Sequence, residues 1–329
     1  MGQIYDRRIQ TKARVEELQK RLTAAASLAA GKACVYATGS FGRGEASLHS
    51  DLDLFILGKG SGSVGDGSLL KRLDEICIKA ELIKVTRDLG IQEFSGDGKY
   101  LAHYSVHNLT RTLGTPEDDS TNNFTARLLL LLESAPLFEG EVYQEAVDDV
   151  IAAYWRDYAD HQDTFIPAFL ANDILRLWRT FCVNYEARTE RIPDYEKIKG
   201  KLKNYKLKHS RLLTCYSGLL YLLATYRQNN FVTPLDARDM SKKTPTQRLE
   251  WLRDQPTLGS ARDIISELLD QYELFLETTN AEEGALIERF QDKIQSQNYM
   301  EAAYKFGDLV FKALNNIGNG NRFHRLLVV

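Results

Sequence analysis

The sequence predicts an α+β chain, with a small mixed sheet near the N-terminus and a larger all-helical domain after it. Two observations lead to this prediction. Short β-prone runs occur only before about Thr115, and apolar residues at helical spacing dominate afterwards. The 329 residues also correspond to about two domains at ~150 residues each, and the 43% apolar content excludes a disordered chain.

The first domain is predicted to combine helices with short strands. An amphipathic helix, Ile9–Ala30, ends at Gly31, and a second helix covers Leu69–Leu89. The predicted strands are short runs of β-branched, aromatic and leucine residues, namely Cys34–Ala37, Leu52–Leu57 and Tyr100–Leu109.

The polar run Glu117–Asn122 is typical of a turn and a helix cap, and we place the domain boundary there. The first domain then covers residues 1–118 and the second covers residues 119–329. Strand signals nearly vanish in the second domain. Its predicted helices are Phe124–Ser134, Glu141–Ala159, Ala168–Glu186, Ser210–Arg227, Thr246–Asp254, Ala261–Thr279 and Glu282–Asn315.

The charge and the hydropathy of the sequence indicate which kinds of partner the chain can bind and where in the cell we expect it. Lys and Arg number 42 and Asp and Glu number 45, so the net charge is −3 and any contact with a polyanion must be local. The four cysteines are scattered without metal-ligand spacing, and the N-terminus lacks the apolar core of a signal peptide. The apolar run Leu128–Leu132 is too short to span a membrane. We therefore expect a cytoplasmic protein that contacts no membrane.

Asp51 and Asp53 form an acidic pair at the start of an apolar strand. Their spacing of two places both carboxylates on one face of the strand. Converging carboxylates repel each other unless a cation lies between them. Mg²⁺ suits such oxygen ligands, with substrate phosphates completing its shell. The pattern predicts that both residues are metal ligands and catalytic residues.

A glycine–serine element follows the first strand and opens a predicted short helix, Phe41–Ser47. Gly39 lets the backbone approach a ligand closely, and helix N-terminal amides together with the Ser40 hydroxyl suit a phosphate. Arg43, one turn later, adds a positive charge. A phosphate-binding element beside a metal-binding pair is the arrangement used in phosphoryl and nucleotidyl transfer by two metal ions.

The segment GSFGRGE, which begins at Gly39, and the segment SDLD, which begins at Ser50, resemble the signature of polymerase-beta-type nucleotidyltransferases. Within that superfamily they look most like the bacterial PII uridylyltransferases and their uncharacterised relatives. The resemblance implies that Asp51 and Asp53 bind Mg²⁺ and that Gly39 and Ser40 bind a nucleoside triphosphate. We also assign nucleotide binding to three further residues of the motif, Gly42, Arg43 and Ser50.

Many members of the superfamily have a third carboxylate on a later strand, and the matching strand here has none. It contains His103 and His107, which are candidates for a general base or lie on a surface strand without a function. The nearby carboxylates are equally open alternatives; they are Glu93, Asp97, Asp118 and Asp119. The sequence also lacks the His-Asp dipeptide of the hydrolase domain that accompanies the uridylyltransferases, so we expect no removal of nucleotide.

The most basic stretch is Lys197–Arg211, in which tyrosines are interleaved with lysines. It is either a phosphate-binding edge for a triphosphate or RNA, or a solvated lysine-rich loop. We assign nucleotide binding to the residues that run directly into an apolar helix, which are Lys206, Lys208 and Arg211.

Together these features predict an enzyme, an Mg²⁺-dependent nucleotidyltransferase that moves an NMP from an NTP such as ATP to an acceptor hydroxyl and releases pyrophosphate. The acceptor is open between a protein, an RNA end, a nucleotide and a small metabolite. A catalytically silent nucleotide-binding regulator is the alternative, because the third carboxylate is missing. A helical ribonuclease is a weaker alternative, since Arg156 and His161 match a spacing that is frequent by chance.

Overall fold

The computed structural model describes residues 2–60, 68–92, 94, 101–189 and 193–328. The chain forms two compact units, of which the first ends at Arg156 and the second begins at Asp157. The helices of the first unit are α1 (Gln3–Arg21), α2 (Thr23–Ala29), α3 (Gly39–Gly42), α4 (Arg72–Asp88), α5 (Val106–Arg111), α6 (Pro116–Ser120), α7 (Asn123–Leu132) and α8 (Gly140–Tyr154).

The first unit contains a mixed four-stranded sheet with the strand order β3-β2-β1-β4. Strand β1 pairs antiparallel with β2 and with β4, whereas β2 and β3 are parallel. This sheet and the mostly helical remainder confirm the predicted fold class. The strands are β1 (Ala33–Ala37), β2 (Leu54–Gly58), β3 (His103–Ser105) and β4 (Ala135–Phe138).

Helices cover both faces of the sheet. On one face, strand residues such as Ile56 pack with apolar side chains of α1, α2 and α4 in a buried cluster. On the other face, Tyr36 stacks on Phe55 with ring centroids 5.5 Å apart, and its hydroxyl donates to the Ala126 carbonyl of α7 over 3.4 Å. Successive strand residues point to opposite faces, so Asp53 lies on the face of Phe55.

Two strands differ from the sequence prediction. Of the predicted strand Tyr100–Leu109, whose first residue lies outside the described residues, only β3 is a strand. The chain continues directly into α5, and the Ser105 hydroxyl caps this helix by accepting the Asn108 N–H over 3.1 Å. Strand β4 was not predicted. It is a short edge strand that contains Pro136, and proline is tolerated at a sheet edge because its missing N–H is not needed there.

The first unit extends beyond the boundary that the sequence predicted at residue 118. Asp118 and Arg127 form an ion pair inside it, with N–O distances of 2.6 and 2.8 Å and both side chains fully buried. Arg127 also donates to the Leu109 carbonyl and to the Tyr154 hydroxyl, each over 2.9 Å. These contacts join α5, α6, α7 and α8 in one core, so the compact unit does not end at residue 118.

Replacing Asp118 with asparagine is expected to destabilise the first unit by about 3–5 kcal/mol, because the buried Arg127 guanidinium loses its carboxylate. Urea denaturation followed by circular dichroism measures this loss. Asp119 is an exposed neighbour, and Asp119→Asn is the matched control, with an expected change below about 0.5 kcal/mol. An Asp118→Asn variant as stable as the control would contradict a structural role for the pair.

The described part of the second unit is helical, with α11 buried at its centre between α9, α13 and α16. A π-helical segment, Leu207–Arg211, joins α10 to α11. Nowhere in the described ranges is a helix long and apolar enough to cross a membrane. The helices of this unit are α9 (Ala168–Thr189), α10 (Asp194–Lys206), α11 (Leu212–Asn229), α12 (Pro234–Ser241), α13 (Pro245–Asp254), α14 (Arg262–Thr278), α15 (Glu283–Gln291), α16 (Lys293–Gly318) and α17 (Arg322–Val328).

His209 lies in the π-helical segment and is buried among aromatic rings. Its ring is parallel to Phe275 at 4.7 Å and lies 5.0 Å from Phe306, measured between centroids. Its Nδ1 donates to the Tyr205 carbonyl over 2.9 Å. Burial lowers the pKa of His209 to about 4, although the backbone hydrogen bond acts in the opposite direction.

The stability of the second unit is expected to fall as the pH drops from about 6.5 to about 4. In this range His209 is protonated in the unfolded chain and neutral in the folded protein, so acid favours unfolding. The loss between pH 7 and pH 5 is about 2 kcal/mol. Urea denaturation at both pH values compares the protein with His209→Gln, which lacks this titration. An equal pH dependence in the two proteins would exclude His209 as the source.

Candidate active site

The turn between β1 and β2 places the glycine–serine element against the acidic pair. The Thr38 N–H donates to the Asp53 carbonyl over 2.8 Å, so the pairing of the two strands continues one residue beyond their ends. The chain then turns at Gly39, whose φ of +61° is a left-handed conformation that glycine adopts without strain. A Cβ added to Gly39 would lie 2.7 Å from Oδ2 of Asp53. A glycine at this position leaves room for the carboxylate.

Ser40 adds an oxygen atom to the same turn. The Ser40 Oγ is buried and has no hydrogen-bond partner among the described residues. Asp53 is half-buried, and Asp51 is exposed. An unsatisfied buried hydroxyl costs free energy, so the Ser40 hydroxyl is a candidate for binding a ligand.

The Asp53 carboxylate fits a magnesium ion that is held by few protein ligands, and metal binding by Asp51 stays a prediction. In phosphoryl-transfer sites Mg²⁺ is bound by one or two carboxylates together with water and substrate phosphates. The Asp53 carboxylate beside Gly39 and the unpartnered Ser40 hydroxyl bring hard oxygen atoms to one turn. Across the described ranges, no three His, Cys, Asp or Glu side chains are grouped as a metal centre.

Arg43 is buried and bound by two carboxylates. Its Nε donates to Oε1 of Glu45 over 2.6 Å, and its Nη1 donates to Oε2 of Glu133 over 2.8 Å. The other oxygen of Glu133, Oε1, accepts the Gly39 N–H over 3.3 Å, and the Glu133 side chain is completely buried. We call these three charged residues the Arg43 cluster. The Arg43 guanidinium is thus bound to two carboxylates beside the turn, and nucleotide binding by Arg43 stays a prediction.

Gly42 and Ser50 also support the turn from within the protein. A Cβ added to Gly42 would lie 2.1 Å from the Glu133 carbonyl oxygen, so glycine is required for this packing. The Ser50 Oγ accepts the Ser47 N–H over 2.9 Å. The predicted helix Phe41–Ser47 is in fact the single turn α3, which begins two residues earlier. Nucleotide binding by Gly42 and Ser50 stays a prediction.

The Gly39 turn and the two aspartates contain the candidate catalytic residues of the first unit. Residues 16–100 match the family model of the nucleotidyltransferase domain. The matched segment includes the turn and both aspartates, and it ends before Glu133. The match is to nucleotidyltransferases in general and does not single out the PII uridylyltransferases. Neither a curated protein nor a solved structure matches the chain significantly.

The candidates that the sequence offered for a third carboxylate have separate outcomes. Asp118 is bound to Arg127 in the buried ion pair, and Asp119 is exposed on α6. Glu93 and Asp97 lie outside the described residues. The sequence analysis missed Glu133, the carboxylate that contacts the Gly39 turn. The sequence does contain a signal for Glu133, which is a single acidic residue directly after five leucines. A carboxylate next to such an apolar run is buried only when it has partners.

Of the two histidines, only His103 lies on a strand as the sequence predicted. His103 is on β3, and its Nδ1 lies 3.3 Å from Oε2 of Glu75 on α4. A Cβ added to Gly58 would lie close to Nε2 of His103, so this imidazole lies on the face of the sheet to which Gly58 points. Gly58 is five positions after Asp53, an odd interval, so the two residues point to opposite faces of the sheet. His103 therefore does not fit a base beside Asp53. His107 is on α5 rather than on a strand, next to Arg111.

The basic stretch Lys197–Arg211 is helical rather than a loop. It lies in α10 and in the π-helical segment that follows. Lys206 is exposed at the end of α10. The Lys208 Nζ lies 3.9 Å from the ring centroid of Tyr304, and the Arg211 guanidinium lies 5.2 Å from that of Phe181. These cation–π contacts order the two side chains. Binding of a nucleotide by the three residues stays a prediction.

The spacing of Arg156 and His161 does not place them on one helix. Helix α8 ends at Tyr154, and Arg156 lies in the turn that follows. His161 comes after a 3₁₀ turn, Tyr158–Asp160, and is exposed. This local structure differs from the helical Arg–His pair that the ribonuclease alternative requires.

Proposed function

We propose that this protein is an Mg²⁺-dependent nucleotidyltransferase that transfers an NMP from an NTP to an acceptor hydroxyl and releases pyrophosphate. The observation that carries the proposal is the Gly39 turn, where the backbone lies against the Asp53 carboxylate beside an unpartnered buried hydroxyl. This turn lies within the segment that matches the nucleotidyltransferase family model.

In this proposal each part of the turn has one task. Asp51 and Asp53 hold the metal ions, which neutralise charge on the phosphates when they are bound. Ser40 donates its hydroxyl hydrogen to a phosphate oxygen, and Gly39 lets the backbone approach the triphosphate. The acceptor hydroxyl oxygen bonds to the α-phosphorus and releases its proton to solvent. The bond between the α-phosphorus and the oxygen that bridges to the β-phosphate breaks, and pyrophosphate leaves with that electron pair. Positioning and charge neutralisation supply most of the catalysis.

The finer parts of the proposal concern the acceptor and the location. The similarity of the motif to PII uridylyltransferases favours a protein acceptor, whereas Lys206, Lys208 and Arg211 favour an RNA end or a nucleotide. We propose that these basic residues bind phosphate groups and that the protein works in the cytoplasm.

Transfer of label from radioactive nucleotides tests the proposed function. The protein is incubated with Mg²⁺, each of the four NTPs labelled at the α-phosphate, and an extract of the organism that encodes it. Protein, RNA and small molecules are then separated and counted. Label is expected in one of these fractions, with pyrophosphate release, and EDTA should prevent both.

Calorimetry with Mg²⁺ and each NTP completes the test. Binding without label transfer would favour the catalytically silent regulator that the sequence left as an alternative. Absence of both binding and transfer for all four nucleotides would overturn the proposed function.

A further inference from the structure

We infer that Glu133 is a positioning residue of the nucleotidyltransferase, which acts through Gly39 to hold the phosphate-binding turn in shape. The inference rests on the proposed function and extends it to a residue outside the segment that matches the family model. Glu133 follows α7 directly and is separated from Gly39 by 94 positions in the sequence.

Glu133 contacts the turn at both ends. Its Oε1 accepts the Gly39 N–H over 3.3 Å, at the beginning of α3. Its main-chain carbonyl lies so close to Gly42, at the end of α3, that a Cβ there would be 2.1 Å from the carbonyl oxygen. Its Oε2 accepts from Arg43, the residue that follows α3. One residue therefore fixes the beginning and the end of the turn that carries Ser40.

The charge of Glu133 is balanced inside the protein. Arg7 and Arg43 are 3% and 7% exposed, and Glu45 and Glu133 are 7% and 1% exposed. Burial lowers the pKa of Arg7, and the negative charge of Glu45 opposes this effect. Two buried arginines thus accompany two buried glutamates. A buried carboxylate is costly unless it makes charge-assisted hydrogen bonds, and Glu133 makes one with each of its oxygens.

If Glu133 is replaced, losing its positioning role and losing its negative charge should change the nucleotide affinity in opposite directions. Replacing Glu133 with glutamine removes a negative charge near a site for a polyanion, and by charge alone this should strengthen binding. The glutamine amide, however, has only one oxygen for two donors, Gly39 N–H and Arg43, so one donor would face an NH₂ group. Loss of the turn geometry should therefore weaken binding.

Calorimetry first identifies which of ATP, GTP, CTP and UTP, as its Mg²⁺ complex, the unmodified protein binds most tightly. The dissociation constant of that complex is then measured for each variant. Glu133→Gln is expected to weaken binding at least about tenfold. Glu45→Gln is the matched comparison, because it removes the same charge from the same Arg43 guanidinium. It is expected to strengthen binding by up to about threefold. Thermal unfolding shows that each variant is folded.

Glu133→Asp keeps the charge but shortens the side chain, and it replaces Glu133→Gln if that variant does not fold. It should also weaken binding, since the shorter side chain cannot reach both donors. Equal affinities of the Glu133 and Glu45 variants, or tighter binding by Glu133→Gln, would overturn the inference while leaving the proposed function intact. If the unmodified protein binds none of the four nucleotides, the proposed function fails first.

Discussion

Replacing Asp53 with asparagine is expected to abolish nucleotide transfer without unfolding the protein. The Asp53 carboxylate lies against the Gly39 backbone, where the proposed function places a metal-bound triphosphate. Asparagine has nearly the same shape but lacks the negative charge that a divalent cation requires. We expect the rate to fall on the order of 10³-fold, since the lost metal contact removes several kcal/mol of transition-state stabilisation.

The label-transfer assay and thermal unfolding together check this result. In the absence of metal, Asp53→Asn should be folded, with a cooperative thermal transition like that of the unmodified protein. Addition of Mg²⁺ and NTP should raise the melting temperature of the unmodified protein only. Asp88→Asn, an exposed substitution at the end of α4, is the control and should keep full activity. Retained transfer by Asp53→Asn would remove this residue from the active site.

Replacing Gly39 with alanine is the second change with a large expected effect. A Cβ at this position would be 2.7 Å from Oδ2 of Asp53, so either the carboxylate or the turn must move. The left-handed conformation adds a cost of about 1–2 kcal/mol for any residue with a Cβ. We expect a loss of transfer of at least about a hundredfold, because small displacements of catalytic groups have effects of that size.

Gly31 provides a matched control for the backbone cost. Its φ is +66°, close to the +61° of Gly39, but a Cβ there would meet nothing within 4 Å. Gly31→Ala should therefore lose a similar amount of stability from the backbone alone and keep its activity. Urea denaturation and the label-transfer assay separate the two effects. Equal activity of the two alanine variants would show that the approach of Gly39 to Asp53 is not needed for transfer.

Local features of the sequence allowed the central part of the fold to be predicted. Strand β1, the glycine turn and strand β2 are neighbours in the chain, so their pattern is set by adjacent residues. The placement of Gly39 beside Asp53 follows from the antiparallel pairing of two consecutive strands. The apolar spacing of the later helices likewise reflects local periodicity, which is why the fold class was predictable.

The remaining features depend on contacts between distant parts of the chain. Besides Glu45, Arg43 donates a hydrogen bond to Glu133, which is 90 positions away in the sequence. Nothing near Arg43 in the sequence indicates this contact. Strand β4 has no strand pattern of its own because it is short and lies at the sheet edge. The first compact unit extends past the predicted boundary for the same reason, since the buried Asp118–Arg127 pair joins segments on both sides of it.

The place of β4 in the sequence has a consequence for synthesis of the protein on the ribosome. About a hundred residues separate β1 from its partner β4, which corresponds to roughly 5–20 s of translation at ~5–20 residues per second. During that interval one edge of β1 has unpaired N–H and C=O groups. Glu133 emerges only just before β4, so the Gly39 turn, where we propose that nucleotide binds, gains its last supporting contacts late in the synthesis of the first unit. A nascent chain that stalls before Glu133 carries the nucleotidyltransferase motif without the contacts that hold it in shape.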